Sequence, residues 1–490
     1  MPAHQGHSQQ LPQLTGCCWN WSRTLRAQGS RPSVRIVWSE ELPRITHQYA
    51  EQESTLAQVK VHGRDIKTAG PIFTEKGIKV LSQYGLDDET PDVSREALRC
   101  LANAFLLNEP CRQTFVDLGY APKASERLKL DNSDDEFLVA RILFLLTYNT
   151  RVDFEQLVEQ NALADSVNQH VARHARAFSA GVGLTQVPLI EQAAMGEILK
   201  LIFNVTYYHP GLTRHFSPAV QPIASLLVHH PLPSPLLQPP VTHMVNALLN
   251  LDLQTADGKV LVGGDAKSNP KCPQPKSEQI VDRLIFVFDT ALNDIPEHDL
   301  DQAAAPLCTL LRRVHELADA HMKSRMRGML LPRQEDRDRP LGQGESLPSR
   351  LLRSSCSAGL PTLRENIANL LFELSNKDAN VLVKNIGYGF ASGFLMSHNI
   401  AIPSTVPEPG SVASQGASND ETDINPVTGQ RLSAERLSPS DSPIMSEGEK
   451  EREAERLFVL FERLRATGVV DVENPVQQAV DEGRFEELPE

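Results

Sequence analysis

Residues 363–397 read LRENIANLLFELSNKDANVLVKNIGYGFASGFLMS, and their pattern decides the fold. Ile367, Leu370, Leu371 and Leu374 recur at i, i+3, i+4 and i+7, the spacing of an α-helix buried along one stripe. A polar turn ends that helix and a second apolar stretch follows. Gly387, Gly389 and Gly393 then punctuate a turn between helices, where glycine permits positive φ. The last glycine spacing is wrong for a dinucleotide-binding turn, and no βαβ unit precedes it.

The same kind of unit recurs upstream, in EALRCLANAFL (96–106), FLVARILFLLT (137–147), EILKLIFNVT (197–206) and HMVNALLNLDL (243–253). Their centres near Phe105, Leu146, Val205 and Leu251 lie 41, 59 and 46 residues apart. Armadillo and HEAT units take roughly 40–47 residues, so the long interval predicts one unit with an inserted loop. The chain therefore reads as an all-α, armadillo/HEAT-like superhelical solenoid over residues 44–400. Residues 1–43 lack periodicity and read as a disordered extension or a misassigned start. Residues 401–446 read as a disordered acidic, Pro/Ser-rich linker, and 447–490 as a helical C-terminal tail.

Composition narrows the function. The 490 residues carry a net charge of −14, which argues against nucleic acid as the main partner and for basic protein surfaces. Seven scattered cysteines form neither a zinc ribbon nor a disulfide framework, and Cys100 and Cys111 read as buried thiols in a reducing compartment. No apolar run is long enough to span a membrane and no signal peptide opens the chain, so the expected location is the cytoplasm. We find no phosphate loop, nucleophile elbow or metalloprotease pair. His170 and His174 form an i, i+4 pair without a third ligand nearby and read as a solvated helix face. Hence no catalytic residue, no metal and no cofactor are expected.

Asn103, Asn204, Asn246 and Asn250 stand out, because they sit inside apolar helices where Leu or Ala would serve structure better. Each either ties down a neighbouring repeat or joins an asparagine ladder that grips a bound peptide. Arg151, just after the second repeat helix, completes this set. In the tail, Leu457, Leu460, Phe461 and Leu464 form the apolar stripe of a helix at 449–466. Ser438 and Ser442 precede proline and Ser446 has an acidic residue three positions on, so all three are candidate phosphorylation sites. The arginine-rich stretch 325–353 reads as basic and loop-like, a candidate receptor for such a phosphate.

These segments together carry a family likeness. EALRCLANAFLLN, ARILFLLT, LKLIFNVTYYHP, HMVNALLNLDL, RGMLLPRQEDRDRPLGQGESLPSRLLR, NLLFELSNKDANVLVKNIGYGFASGFL, and Asn425-Pro426-Val427-Thr428-Gly429 followed by EGEKEREAERLFVLFERL resemble, in order, the synembryn family of Gα exchange factors and chaperones. The chain looks like a fungal member. The resemblance implies a monomer that binds Gα subunits of heterotrimeric G proteins, GDP-bound or nucleotide-free, without covalent chemistry. It implies that the Gα C-terminal helix is received on the concave face while tail elements contact the nucleotide-binding domain, with recruitment to the plasma membrane through Gα. An armadillo-like adaptor or scaffold with no effect on nucleotide is the alternative.

Overall fold

The structure is a computed structural model that describes residues 56–61, 63–65, 69–87, 90–179, 187–234, 236–254, 276–401 and 424–437. Among these residues it is helical throughout, with no strand and a single isolated bridge between Ile424 and Arg431. The helices that build the stack are α1 (Glu75–Leu86), α2 (Pro91–Leu107), α3 (Pro110–Asp117), α4 (Ala121–Arg127), α5 (Ser133–Leu146), α6 (Phe154–Glu159), α7 (Leu163–Ser179) and α8 (Leu189–Tyr208). They continue as α9 (Val220–His229), α10 (Val241–Asn250), α11 (Ser277–Asp294), α12 (Glu297–Leu317), α13 (Ala320–Leu330), α14 (Leu347–Cys356), α15 (Pro361–Leu374), α16 (Ala379–Ile386) and α17 (Tyr388–Ser397).

Local chemistry sets many of the boundaries. Asn132 opens α5 by accepting hydrogen bonds from the backbone N–H groups of Asp134 and Asp135. Asp153, Asp319, Ser346 and Asp378 do the same for α6, α13, α14 and α16. Pro91, Pro110 and Pro361 sit in the first turns of α2, α3 and α15, where a missing N–H costs nothing. Gly387 closes α16 and opens α17 at φ +79°.

Packing turns these helices into two rows. One row, here called the spine, stacks α2 on α5, then α8, α10, α12 and α15, each on its predecessor. The other row runs α1, α4, α7, α9, α11 and α14, with the short α6 bridging α4 and α7. Consecutive members of the two rows are antiparallel neighbours, which gives six helical pairs among the described residues. This is the expected armadillo/HEAT-like solenoid, and the four sequence-derived centres fall on or at the ends of consecutive spine helices. The 59-residue interval is explained by α6 and by the longer α7, which lie between α5 and α8.

One apolar cluster runs through all six pairs. Ile367, Leu370, Leu371 and Leu374 on α15 are all buried, each contributing roughly 1.5–3 kcal/mol of transfer free energy. Cys100 and Cys111 are buried too, and burial pushes their thiol pKa values up to about 12 and about 11.

Candidate protein-binding face

Each spine helix keeps one side out of the core, and those sides line up. On α5 the half-buried side carries Phe137, Arg141, Phe144 and, just past its end, Tyr148. On α8 the matching side carries Lys200, Phe203 and Tyr207, with Tyr208 beside it. The rings stack along each helix and meet once between them: Phe144 and Tyr148 are 5.3 Å apart between centroids along α5 and its end, Phe203 and Tyr207 5.9 Å along α8, and Tyr148 reaches Tyr208 across the two at 6.2 Å. Tyr207 and Tyr208 remain 49% and 46% exposed, so part of this aromatic surface is open to solvent.

Two cations are fixed within this patch. Lys200 lies 4.7 Å above the Phe144 ring and Arg141 4.9 Å above that of Phe137. Both also reach the buried carboxylate of Glu197, at 2.7 and 3.1 Å. The next rung is α10, where burial and the Lys200 charge push the His243 pKa down to about 4. The face is thus aromatic, carries two positioned cations, and is built on packed helices. An apolar, aromatic surface of this kind can take one face of an amphipathic segment.

The sequence-derived asparagines divide into two kinds here. Asn204 is 4% exposed, and its amide donates to Thr147 Oγ1 at 2.7 Å, tying α8 to the end of α5. Asn250 donates to the Phe203 carbonyl at 3.1 Å, tying α10 to α8. Asn103 on α2 and Asn246 on α10 are half-buried on the open side of the spine and have no side-chain hydrogen bond among the described residues. Arg151 stands apart at the end of α5, beside α3. Its N–H donates to Gln113, and its side chain is 84% exposed, 3.9 Å from Asp117. Leu457, Leu460, Phe461, Leu464, Ser438, Ser442 and Ser446 lie outside the described residues. The aromatic ladder itself escaped sequence reading. Its signal was present in the i, i+4 pairs Phe144/Tyr148 and Phe203/Tyr207, in a chain with only 6% aromatics.

The family of the guanine nucleotide exchange factor synembryn matches residues 55–484. The chain belongs to that family. Among curated relatives, "Chaperone Ric-8A" of Macaca fascicularis is 26% identical over 486 residues, covering 90% of this chain and 83% of the relative. "Chaperone Ric-8A" of Xenopus tropicalis is 27% identical over 493 residues, with 90% and 85% covered. A synembryn-like chaperone of Schizosaccharomyces pombe is 31% identical over 258 residues, 49% of this chain and 46% of that protein.

Within this synembryn-family chain, two sequence readings are corrected. His170 and His174 are not a solvated face; both are buried against Glu136, which α5 projects into the interior. His174 Nε2 donates to Glu136 Oε1 at 2.7 Å, His170 Nδ1 lies 3.4 Å from Oε2, and Arg173 pairs with the same carboxylate. Burial pushes the Glu136 pKa up, but the His174 hydrogen bond and the charges of His174, His170 and Arg173 outweigh it and leave the net shift downward.

The arginines of 325–353 are not a free basic loop either, since α13 and α14 occupy much of it. Arg325 pairs with Asp282, Arg327 donates to the Leu374 carbonyl, Arg350 pairs with Asp289, and Arg353 donates to the Gly342 and Gly344 carbonyls. Arg313 likewise donates to the carbonyls of Leu248, Leu249 and Leu251 at the end of α10, and Arg283 to those of Leu227 and His230 at the end of α9. A guanidinium fork from a neighbouring element thus satisfies the orphan carbonyls of several helix ends.

Proposed function

We infer that this chain is a guanine nucleotide exchange factor and folding chaperone for Gα subunits of heterotrimeric G proteins. The observation that carries the reading is the family match over residues 55–484, with relatives named as chaperones that this chain covers to 83–85% of their length. The spine face supports it with the right chemistry: an apolar, aromatic stripe with fixed cations takes one face of an amphipathic helix, such as the Gα C-terminal helix. Asn103 and Asn246 offer amides that are unpaired among the described residues at its margins, whereas Asn204 and Asn250 hold the scaffold. The segment 449–466, with Leu457, Leu460, Phe461 and Leu464, supplies a second contact to the Gα nucleotide-binding domain.

Exchange follows from differential binding. Holding the Gα C-terminal helix away from its own core disturbs the loop that contacts the guanine base, so GDP affinity falls. By linkage, GTP binding weakens the complex and releases the factor. No bond is made or broken by this chain. It works as a monomer in the cytoplasm, reaching the plasma membrane through Gα; among the described residues no helix is long and apolar enough to cross a membrane. The test is capture of purified GDP-bound Gα with and without GTPγS, beside a fluorescent-nucleotide exchange assay. Binding lost on adding GTPγS, with accelerated exchange, supports the reading. Binding that GTPγS leaves unchanged, without exchange, would instead identify an adaptor.

A further inference from the structure

The segment 424–431, inside the stretch expected to be an unstructured linker, forms a closed turn seated on the end of the solenoid. The turn is internally pinned. The Asn425 side chain accepts from the Val427 and Thr428 N–H groups at 2.9 and 3.3 Å, and the Gly429 N–H donates to the Asn425 carbonyl at 2.8 Å. Its outer carbonyls then cap a helix to which it is joined only through residues 398–424. The N–H groups of Tyr388 and Gly389, the first two of α17, donate to the carbonyls of Pro426 and Val427 at 2.8 and 2.9 Å.

Arg337 is the hub of this junction. It is 6% exposed and carries no salt bridge among the described residues. One arm of its guanidinium donates to the Gly429 carbonyl at 2.7 Å and the other to the Asn385 carbonyl of α16 at 2.8 Å. Its own carbonyl accepts from the Arg431 N–H at 2.9 Å, and the Arg431 side chain pairs with Asp338 at 2.8 Å. Two glycines make the fit possible. A Cβ on Gly387 would lie 2.8 Å from the Val427 carbonyl oxygen, and one on Gly429, at φ +70°, would overlap Leu341. Gln430 is buried in the seam. A short helix, Leu432–Leu437, then leaves along the 3-10 turn Glu335–Asp338.

We propose that Arg337 and the turn 424–431 form a clasp that fixes where the tail leaves the solenoid, making Arg337 a positioning residue for the tail segment 449–466. This rests on the proposed Gα exchange function for its consequence, though not for the clasp itself. With the clasp closed, Glu449 is tethered to Leu437 by the eleven residues 438–448. With it open, the tether is the forty-eight residues 401–448 that follow Ile400. Maximum reach rises from about 40 Å to about 170 Å. Effective concentration falls as the −3/2 power of tether length, so opening the clasp dilutes the tail segment roughly ninefold at a Gα held on the spine face.

The experiment uses the full chain, Arg337→Ala and Gly429→Val. Arg337 also caps α16, so its variant risks the fold; Gly429→Val opens the same contact from the turn and leaves every solenoid residue in place. Hydrogen exchange followed by mass spectrometry should show slow amides at 388–389 and 425–431 in the wild type and fast ones in both variants, with α15 amides unchanged. The exchange rate of Gα nucleotide should fall about ninefold, and deleting 402–423 in the Gly429→Val chain should recover part of that loss. A purely structural role would not give this recovery. Amides that stay slow in Gly429→Val would overturn the clasp. Amides that become fast while nucleotide exchange stays at the wild-type rate would overturn the positioning role and leave the Gα reading intact. A wild type without exchange activity would count against the proposed function, and the amide protection then decides the clasp alone.

Discussion

Substituting Asn204 and Asn246 by alanine separates scaffold from binding face. Asn204 is buried and gives one hydrogen bond of 2.7 Å to Thr147 Oγ1. Thr147 keeps its own bond to the Phe144 carbonyl at 2.6 Å, so Asn204→Ala does not orphan a donor. What is lost is one buried hydrogen bond and the packing of an amide, together about 1–3 kcal/mol of stability. Asn246 is half-buried with no side-chain partner among the described residues, so Asn246→Ala removes no internal bond. Alanine is also the better helix former, and stability should change by less than about 0.5 kcal/mol or rise slightly. If Asn246 instead meets a Gα main chain, its loss costs about 1–3 kcal/mol of binding, some 5- to 150-fold in Kd. Urea midpoints and calorimetric titration with GDP-bound Gα, run on both variants, read the two quantities separately. The reasoning is refuted if Asn246→Ala melts as early as Asn204→Ala, or if its affinity for Gα stays within twofold of wild type.

Other outcomes follow from the same geometry. Glu136→Ala should destabilise the chain by about 3–5 kcal/mol, since it leaves Arg173, His170 and His174 around an empty carboxylate position; the urea midpoint checks this. His315 is buried, and burial first, then Lys323, Arg327 and Lys377, push its pKa down to about 4. Its folded pKa lies below the ordinary value of 6.5, so the unfolded chain binds the proton first. Its contribution is full above pH 6.5 and lost as pH falls toward 4, and His315→Gln should flatten the urea midpoint across that window. Truncation after Ser446 should leave thermal melting unchanged and slow Gα exchange, because it removes Leu457, Leu460, Phe461 and Leu464 while every helix of the stack keeps its sequence; an unchanged exchange rate would count against the tail contact. Phosphorylation of Ser446 adds about −1.5 to −2 charge just ahead of the 449–466 segment. The kinase-treated chain, with the phosphate verified by mass spectrometry, should exchange Gα nucleotide faster than Ser446→Ala.

Periodicity alone made the fold legible. Ile367, Leu370, Leu371 and Leu374 had to share a stripe because 3.6 residues make a turn, and further stripes upstream at intervals of 41, 59 and 46 residues imply a stack with one longer unit. Caps such as Asn132 and breakers such as Pro110 and Gly387 act within a few residues, so local sequence carries them as well. The fates of single polar side chains were not legible, because their partners lie far along the chain. Asn204 meets Thr147 across 57 residues, His174 meets Glu136 across 38, and Arg337 meets Gly429 across 92. Nothing near Asn204 and Asn246 in sequence distinguishes a tie from an open amide; the neighbouring helix does. Sequence determined which residues must be buried, since burial follows from a repeating local pattern. Only the tertiary structure decided which polar groups are consumed in holding the stack together, since a hydrogen bond needs a particular atom within about 3 Å and only packing brings it there.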